Sequence, residues 1–505
     1  MILNKLILRL QKDRLKQIDA FGKDPVQAQN SIFKRLLSAG ESTQYGKEYE
    51  FARIKSTEDY GKKVPLTDYR QLKPYILRMM AGEKNVLWNT PVTWFAKSSG
   101  TTAGKSKFIP VSVECLQQCH YRGLKDVTLT YIRNYPDSKL LSGKSLTLGG
   151  SNELHESRSG TRFGDLSAVM IQNTPFYVEP VRVPSRKIAL IPDFEEKVNA
   201  IAEQAVKKNV VGFAGTPAWN LVLMKKVLER SGKNDLSEVW PNLEVFFHGG
   251  VSFKPYVEQY KRLIPSSEMR YMETYNASEG FFALQDNPLS DDLLLMPDVG
   301  IFYEFMPVSE QGKAFPETKT MGEAETDVNY AMIISTNAGL WRYLIGDTIK
   351  FTSLYPHKIK ITGRTTQYIN VFGEELIVDN AENALKNACS STGAVVNEYT
   401  AAPVFMTTDA NGAHEWLVEF ETLPANVEKF ADILDESLCS LNSDYEAKRK
   451  NNATLTRLKL TVLPRNTFYE WMKSKNKLGG QNKAPRLSNT REYVEQLLKI
   501  KDNLP

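Results

Sequence analysis

The sequence predicts an α/β protein of two domains. The large N-terminal domain is built on β-sheets flanked by helices, and the smaller C-terminal one is α+β. Three observations carry this. The chain has 505 residues, beyond the size at which a single core keeps growing. From Thr93 onward, short β-rich runs alternate with helical stretches, the pattern of sheets covered by helices. Near Gly363 a second group of strand and helix candidates begins.

Residues 1 to about 90 read as mostly helical; Ser31 to Leu37, for example, sets its apolar side chains on one helical face. The strand candidates that follow are Val92–Ala96, Val211–Ala214, Leu243–Phe247 and Ala331–Ser335, with helical stretches at Phe194–Lys208 and Asn220–Arg230 between them. The second group has strands at Trp416–Phe420 and Leu458–Leu463 and helices at Asp379–Lys386 and Asn426–Ser440. Domains are therefore expected at 1–362 and 363–505.

Composition narrows the function. Hydrophobic residues make up 42% and charged residues 24%, which is ordinary for a globular protein. Lys+Arg number 64 against 59 Asp+Glu, too small an excess to suggest nucleic acid as a partner. The cysteines, Cys115, Cys119, Cys389 and Cys439, form no CxxC pair, so neither a zinc site nor a dithiol redox motif is indicated. Cys115 and Cys119 are one helical turn apart, the spacing of a buried helix face. The apolar N-terminus is broken by Lys5 and Arg9, and no later stretch approaches the roughly 18 uncharged apolar residues of a membrane span. A soluble cytoplasmic monomer with no membrane partner is expected.

The strongest local signal is the run from Ser98 to Lys107, SSGTTAGKSK. Ser98, Ser99, Gly100, Thr101 and Thr102 offer backbone N–H groups and hydroxyls able to wrap phosphate oxygens, and Lys105 and Lys107 add positive charge. A Walker A loop needs Gly, four residues, then Gly-Lys-Ser, and Ser99 stands where its first Gly belongs. Such a loop also opens a helix. Here Phe108-Ile109-Pro110-Val111 follows, strand-like and with a proline that disfavours a helix. A strand–loop–strand hairpin clamping a triphosphate is the reading adopted.

Two further runs follow. In Tyr275-Asn276-Ala277-Ser278-Glu279-Gly280 an aromatic ring can cover a base, the Ser278 hydroxyl can bond a phosphate, and Glu279 can ligate Mg²⁺. An Asn/Ser turn would look the same. In Trp341-Arg342-Tyr343-Leu344-Ile345-Gly346-Asp347 a carboxylate after Gly at a strand end can accept both ribose hydroxyls. Upstream, Gly249 and Gly250 follow a buried-looking strand and would let a flat adenine lie close to the backbone.

In this order the motifs, with a Gly363-Arg364 hinge and Gln481-Asn482-Lys483-Ala484-Pro485-Arg486 near the end, resemble the acyl-adenylate-forming superfamily of acyl-CoA synthetases and firefly luciferase. Within it, the chain resembles the auxin-responsive Gretchen Hagen three family of acyl-acid amido synthetases over essentially its whole length. The grounds are the early position of Ser98–Thr102, Ser before Glu279, the Arg342–Asp347 run, and Lys483 preceding X-Pro-Arg. Two departures stand out: Thr366 replaces the Asp usual two residues after Gly-Arg, and the lysine loop lacks the tyrosine of plant members.

The resemblance implies an ATP-dependent ligase. It would adenylate a small carboxylic acid and pass the acyl group to an amine, an amino acid by family habit. The 98–107 loop would hold the ATP phosphates and Mg²⁺ would sit on Glu279, itself catalytic. Tyr275 would lie against adenine within the nucleotide-binding run that includes Asn276 and Ser278. Asp347 would hold the ribose, Arg364 would contact the nucleotide, and Lys483 would reach in from a mobile C-terminal domain to neutralise charge. Arg122, Phe213 and Thr216 would line the acyl pocket. The competing readings are an acyl-CoA ligase sharing the first half-reaction, and a non-catalytic nucleotide sensor. A hydrolase ranks last, because no Gly-X-Ser-X-Gly elbow is present and the five histidines sit in no triad context.

Overall fold

The alternation along the sequence becomes layered sheets in the structure. It is a computed structural model that describes residues 2–98, 107–149, 155–157, 159–250, 253, 256–365, 367–407, 410–452, 454–474 and 485–502. Among these residues the strands form sheets of twelve, four, three and two. One half of the twelve-stranded sheet is parallel: Arg182–Val183, Lys144–Thr147, Val210–Gly215, Val245–His248 and Arg270–Ala277 lie side by side. Helices Phe194–Ala205 and Pro217–Ser231 lie between these strands in sequence. Parallel strands need such crossovers and are buried by them, which is why Val210–Phe213 and Val245–Phe247 read as unbroken apolar runs.

The other half is antiparallel. It begins at the hairpin of Arg270–Ala277 with Gly280–Leu284 and includes the long pair Tyr343–Leu354 and His357–Arg364. N-terminal helices cover it. Asp24 caps helix Pro25–Gly40 through the Gln27 N–H at 2.9 Å, satisfying a donor the first turn leaves orphaned. From that helix the buried Gln29 amide donates to the Pro297 and Ile301 carbonyls at 2.7 and 2.8 Å and accepts from Tyr303 N–H at 2.8 Å. Arg342 fixes the opposite side. Its guanidinium grips Glu304 through Nε and Nη2 at 2.8–3.1 Å and donates to the Gly61 and Val64 carbonyls at 2.7 Å each. The motif arginine is thus structural, a buried tie between strands and N-terminal helices, held at φ +43°.

The C-terminal part has a three-stranded sheet, Val395–Val404, Ala413–Thr422 and Lys459–Leu463, packed on helices Val378–Thr392 and Val427–Leu441. Its apolar core is continuous with that of the parallel half, joining Phe213, Phe246 and Tyr260 to Phe372, Trp416 and Phe420. Trp219 Nε1 donates to the Phe372 carbonyl at 2.9 Å and Tyr256 Oη to the Val371 carbonyl at 3.0 Å. The expected boundary between 362 and 363 falls inside a strand. His357–Arg364 stays in the large sheet, with Gly363 opposite Thr348 and Arg364 opposite Asp347, so the chain leaves that sheet at Thr365.

Candidate functional site

Three parallel strands end together. Gly215 pairs with His248, and His248 with Glu273, so the segments after them, Thr216, Gly249-Gly250 and Tyr275–Glu279, gather at the carboxyl edge of the sheet. Ligands of open α/β sheets bind at this edge. The glycines are required by packing. A Cβ on Gly249 would stand 2.5 Å from the Thr274 carbonyl oxygen, and Gly250 has φ +82°, where a side chain is strained. A Cβ on Gly250 would lie 3.7 Å from Thr216 Oγ1. Thr216 precedes helix Pro217–Ser231 without bonding its N–H groups through the side chain, so its hydroxyl faces the glycine turn. Asn276 is exposed, and its Oδ1 lies 3.4 Å from the same Gly249 position.

From the antiparallel half, Asp347 and Arg364 face each other across paired strands. Arg364 Nε donates to Asp347 Oδ1 at 2.6 Å, and Tyr275 Oη donates to Asp347 Oδ2 at 2.7 Å. The Tyr368 ring covers the Arg364 guanidinium, 4.7 Å from centroid to Cζ, and Glu375 lies 3.8 Å from Arg364 Nη2. The Asp347 carboxylate thus has both oxygens held in place. Burial, with the neighbouring Asp347 charge, holds the Tyr275 hydroxyl firmly protonated as a donor.

Glu279 occupies the tight turn of the Tyr275 hairpin beside Ser278 and is buried. Burial raises its carboxyl, and Glu375 adds repulsion, while Lys107 and Arg364 pull the other way. A withdrawn carboxyl whose charge is underpaid by its surroundings suits a divalent cation. Among the described residues no group of three or more His, Cys, Asp or Glu could hold a metal by itself.

The predicted hairpin is present. Trp94–Ser98 and Lys107–Val111 pair antiparallel, and Ser98 opposite Lys107 forms the last pair before the loop. Ser99, Gly100, Thr101, Thr102 and Lys105 lie outside the described residues, as does Lys483. The exit of the lysine segment is described: Thr400 Oγ1 donates to the Pro485 carbonyl at 2.6 Å, and Arg486 N–H donates to the Gln367 side chain, three residues beyond Arg364.

Three expectations are corrected. Arg122, expected at the acyl pocket, is engaged in an ion pair: its Nη2 pairs with Asp298 at 2.5 Å, in a network where Arg14 bridges Asp126 and Asp298. Phe213 is fully buried, stacked on Phe246 at 4.3 Å, and belongs to the core because its strand is covered on both faces. Tyr275 presents no open face to a base: its ring is buried against Phe282 at 4.9 Å, and its hydroxyl orients Asp347. Residues that sequence reasoning left out are Glu375 and Tyr368, which reach Arg364 through no local sequence signal.

Known proteins share this architecture. Residues 14–269 match the GH3 family N-terminal domain, 293–364 the GH3 family central domain and 379–492 the GH3 family C-terminal domain. The chain is 23% identical to the indole-3-acetic acid-amido synthetase GH3.3 of Arabidopsis thaliana over 542 residues, covering 93% of this chain and 90% of the relative. It is 20% identical to the jasmonoyl–L-amino acid synthetase JAR4 of Nicotiana attenuata over 550 residues, covering 94% and 92%. In fold it is similar to the GH3.15 acyl acid amido synthetase, with TM-score 0.61, 18% identity and coverage of 97% and 96%. It is also similar in fold to a 2-hydroxyisobutyryl-CoA ligase, with TM-score 0.59, 14% identity and coverage of 95% and 93%.

Proposed function

The chain belongs to the GH3 family, and on that premise we propose that it is an ATP-dependent ligase joining a small carboxylic acid to an amino acid. AMP and pyrophosphate are released. The observation that carries this is the convergence at one sheet edge of the Gly249-Gly250 turn, the Tyr275–Glu279 hairpin and the Asp347–Arg364 pair, with Lys107 of the phosphate hairpin close enough to act on Glu279.

A carboxylate oxygen is a poor leaving group, and adenylation converts it into a good one. In the first step an oxygen of the acid attacks the α-phosphorus and pyrophosphate departs, so the protein's work is positioning and charge neutralisation. The Ser98–Thr102 segment and Lys107 hold the phosphates. The glycine turn accommodates the base, with Asn276 and Ser278 at its edge, and Thr216, beside that turn, lines the acyl pocket. Asp347, oriented by Tyr275 and Arg364, accepts the ribose hydroxyls. Mg²⁺, when bound at Glu279, supplies positive charge to the phosphate oxygens. Lys483 supplies its ammonium to the reacting carboxylate and phosphate. In the second step the amine displaces AMP.

The C-terminal part, from Thr365 on, is the domain expected to move between the steps, with Gly363 on the last strand of the large sheet and Gly373 just beyond it, both at positive φ, on either side of its entry. Cytoplasmic action as a monomer without nucleic-acid or membrane partners is part of this reading; among the described residues no helix is long and apolar enough to cross a membrane. The test is product identification. The chain incubated with ATP, Mg²⁺, a panel of carboxylic acids and the amino acids should yield AMP and an amide by mass spectrometry. ADP in place of AMP, or no acylated amine with any acid, overturns the proposal.

A further inference from the structure

Beside the phosphate hairpin lies a cluster of charges that adenylation does not use. Strand Arg162–Gly164 runs parallel to Trp94–Ser98, with Gly164 opposite Ala96. The next residues on the two chains are Asp165 and Lys97, and one step further is Ser98, where the phosphate loop begins. Asp165 stands at the cap of helix Leu166–Asn173, yet its carboxylate takes none of that helix's N–H groups. The charged groups facing it are Lys97, Lys197 of helix Phe194–Ala205, and Asp444 and Lys448 of helix Ser443–Arg449 in the C-terminal part. Lys448 Nζ stands 4.1 Å over the Trp219 ring, so the cluster spans the seam between the two parts of the chain.

Two features set it apart from an ion cluster that merely holds that seam together. Among the described residues, the carboxylate of Asp165 and the ammonium groups of Lys97 and Lys448 close no hydrogen bond or ion pair, although Lys448 is only 7% exposed. Charges withdrawn from water are normally paired; here the buried Lys448 and the partly buried Asp165 and Lys97 act on one another electrostatically without closing into a pair. Burial also pushes the Asp165 carboxyl up to about 7 and the Lys197 ammonium down to about 8, values near the operating pH that suit proton transfer.

The second half-reaction needs what this cluster of charges offers. An amino acid arrives as an ammonium, which is not a nucleophile, and carries a carboxylate that must be recognised. We propose that the seam between Lys97, Asp165 and Lys448 is the acceptor site, with Asp165 taking a proton from the ammonium and the two lysines facing the α-carboxylate. This rests on the amide-forming reading above. The ammonium gives one proton to Asp165, and the neutral nitrogen forms a bond to the acyl carbon. The bond from that carbon to the phosphate oxygen breaks, its electron pair leaving on AMP, and the second nitrogen proton passes to the AMP phosphate. Trp219 walls the site.

The test separates the half-reactions. Asp165→Asn, a conservative change, and Lys448→Met are each assayed for carboxylate-dependent ATP–pyrophosphate exchange and for acyl transfer from chemically prepared acyl-adenylate. The acceptors are an amino acid and hydroxylamine, which is already neutral at pH 7. Asp165→Asn should keep exchange and transfer to hydroxylamine within about threefold. Its transfer to the amino acid should fall about 10²–10⁴-fold, and the rate should lose its rise near pH 7. Lys448→Met should raise the KM for the amino acid and leave hydroxylamine unaffected. Unchanged amino-acid transfer in Asp165→Asn, or equal loss with both acceptors, overturns the assignment. Absence of exchange in the unsubstituted chain overturns instead the adenylation reading beneath it.

Discussion

Asp347 and Arg364 sit opposite each other on paired antiparallel strands and join Oδ1 to Nε at 2.6 Å. Arg364 is the last residue of its strand, so the carboxylate assigned to the ribose is braced by the residue at which the chain leaves the large sheet. The residue proposed to hold the ribose and the residue at which the chain turns toward the C-terminal part are therefore joined in one ion pair.

The first prediction follows from that carboxylate. Asp347→Ala removes charge-assisted acceptors worth about 1.5–3 kcal/mol each, so ATP affinity should fall at least tenfold by calorimetry. Tyr275→Phe removes only the brace on Oδ2 and should cost less. Equal ATP affinity in folded Asp347→Ala would remove this residue from the site.

Glu279→Gln keeps the shape of the side chain and loses the ligand charge. Adenylation should slow, and raising Mg²⁺ should recover part of the rate. A deficit that no Mg²⁺ concentration alters would exclude metal binding there.

Arg342 offers a prediction about stability. Replacing it by Met leaves Glu304 buried without its partner, which costs about 3–5 kcal/mol. Urea unfolding should show that loss, and the double change Arg342→Met with Glu304→Met should recover much of it. A single variant as stable as the parent would contradict the structural role.

These cases show what the residues revealed in advance and what they did not. The parallel half was legible because strands covered on both faces read as apolar runs, as Val245-Phe246-Phe247 does. The strand–loop–strand hairpin was legible because Pro110 disfavours the helix of a Walker loop, and Ser98 does pair with Lys107. Motif membership, by contrast, does not say which way a side chain turns. Tyr275, which the resemblance sets against the base, serves Asp347 instead; Arg122, which the resemblance sets at the acyl pocket, pairs with Asp298. Glu375 reaches Arg364 only because the chain folds back after Tyr368, with Ile369 paired to Leu376. No local pattern announces a contact made by such a turn.

Lys483 carries the two-step logic. If its ammonium acts only in the adenylation transition state, Lys483→Ala should lose about 10²–10³-fold in pyrophosphate exchange. ATP affinity should be nearly unchanged, and transfer from supplied acyl-adenylate should persist. Normal exchange in the alanine variant would end the catalytic assignment, and equal loss in both steps would show that the lysine also serves the amine.

The most direct test of the whole account is ATP–pyrophosphate exchange by the unsubstituted chain across a library of small carboxylic acids, repeated with amino acids and with CoA. The account predicts exchange that depends on at least one acid, and acid-dependent AMP release that an amino acid accelerates and CoA does not. ATP binding without exchange for any acid would contradict it, and acceleration by CoA alone would contradict the amine as acceptor.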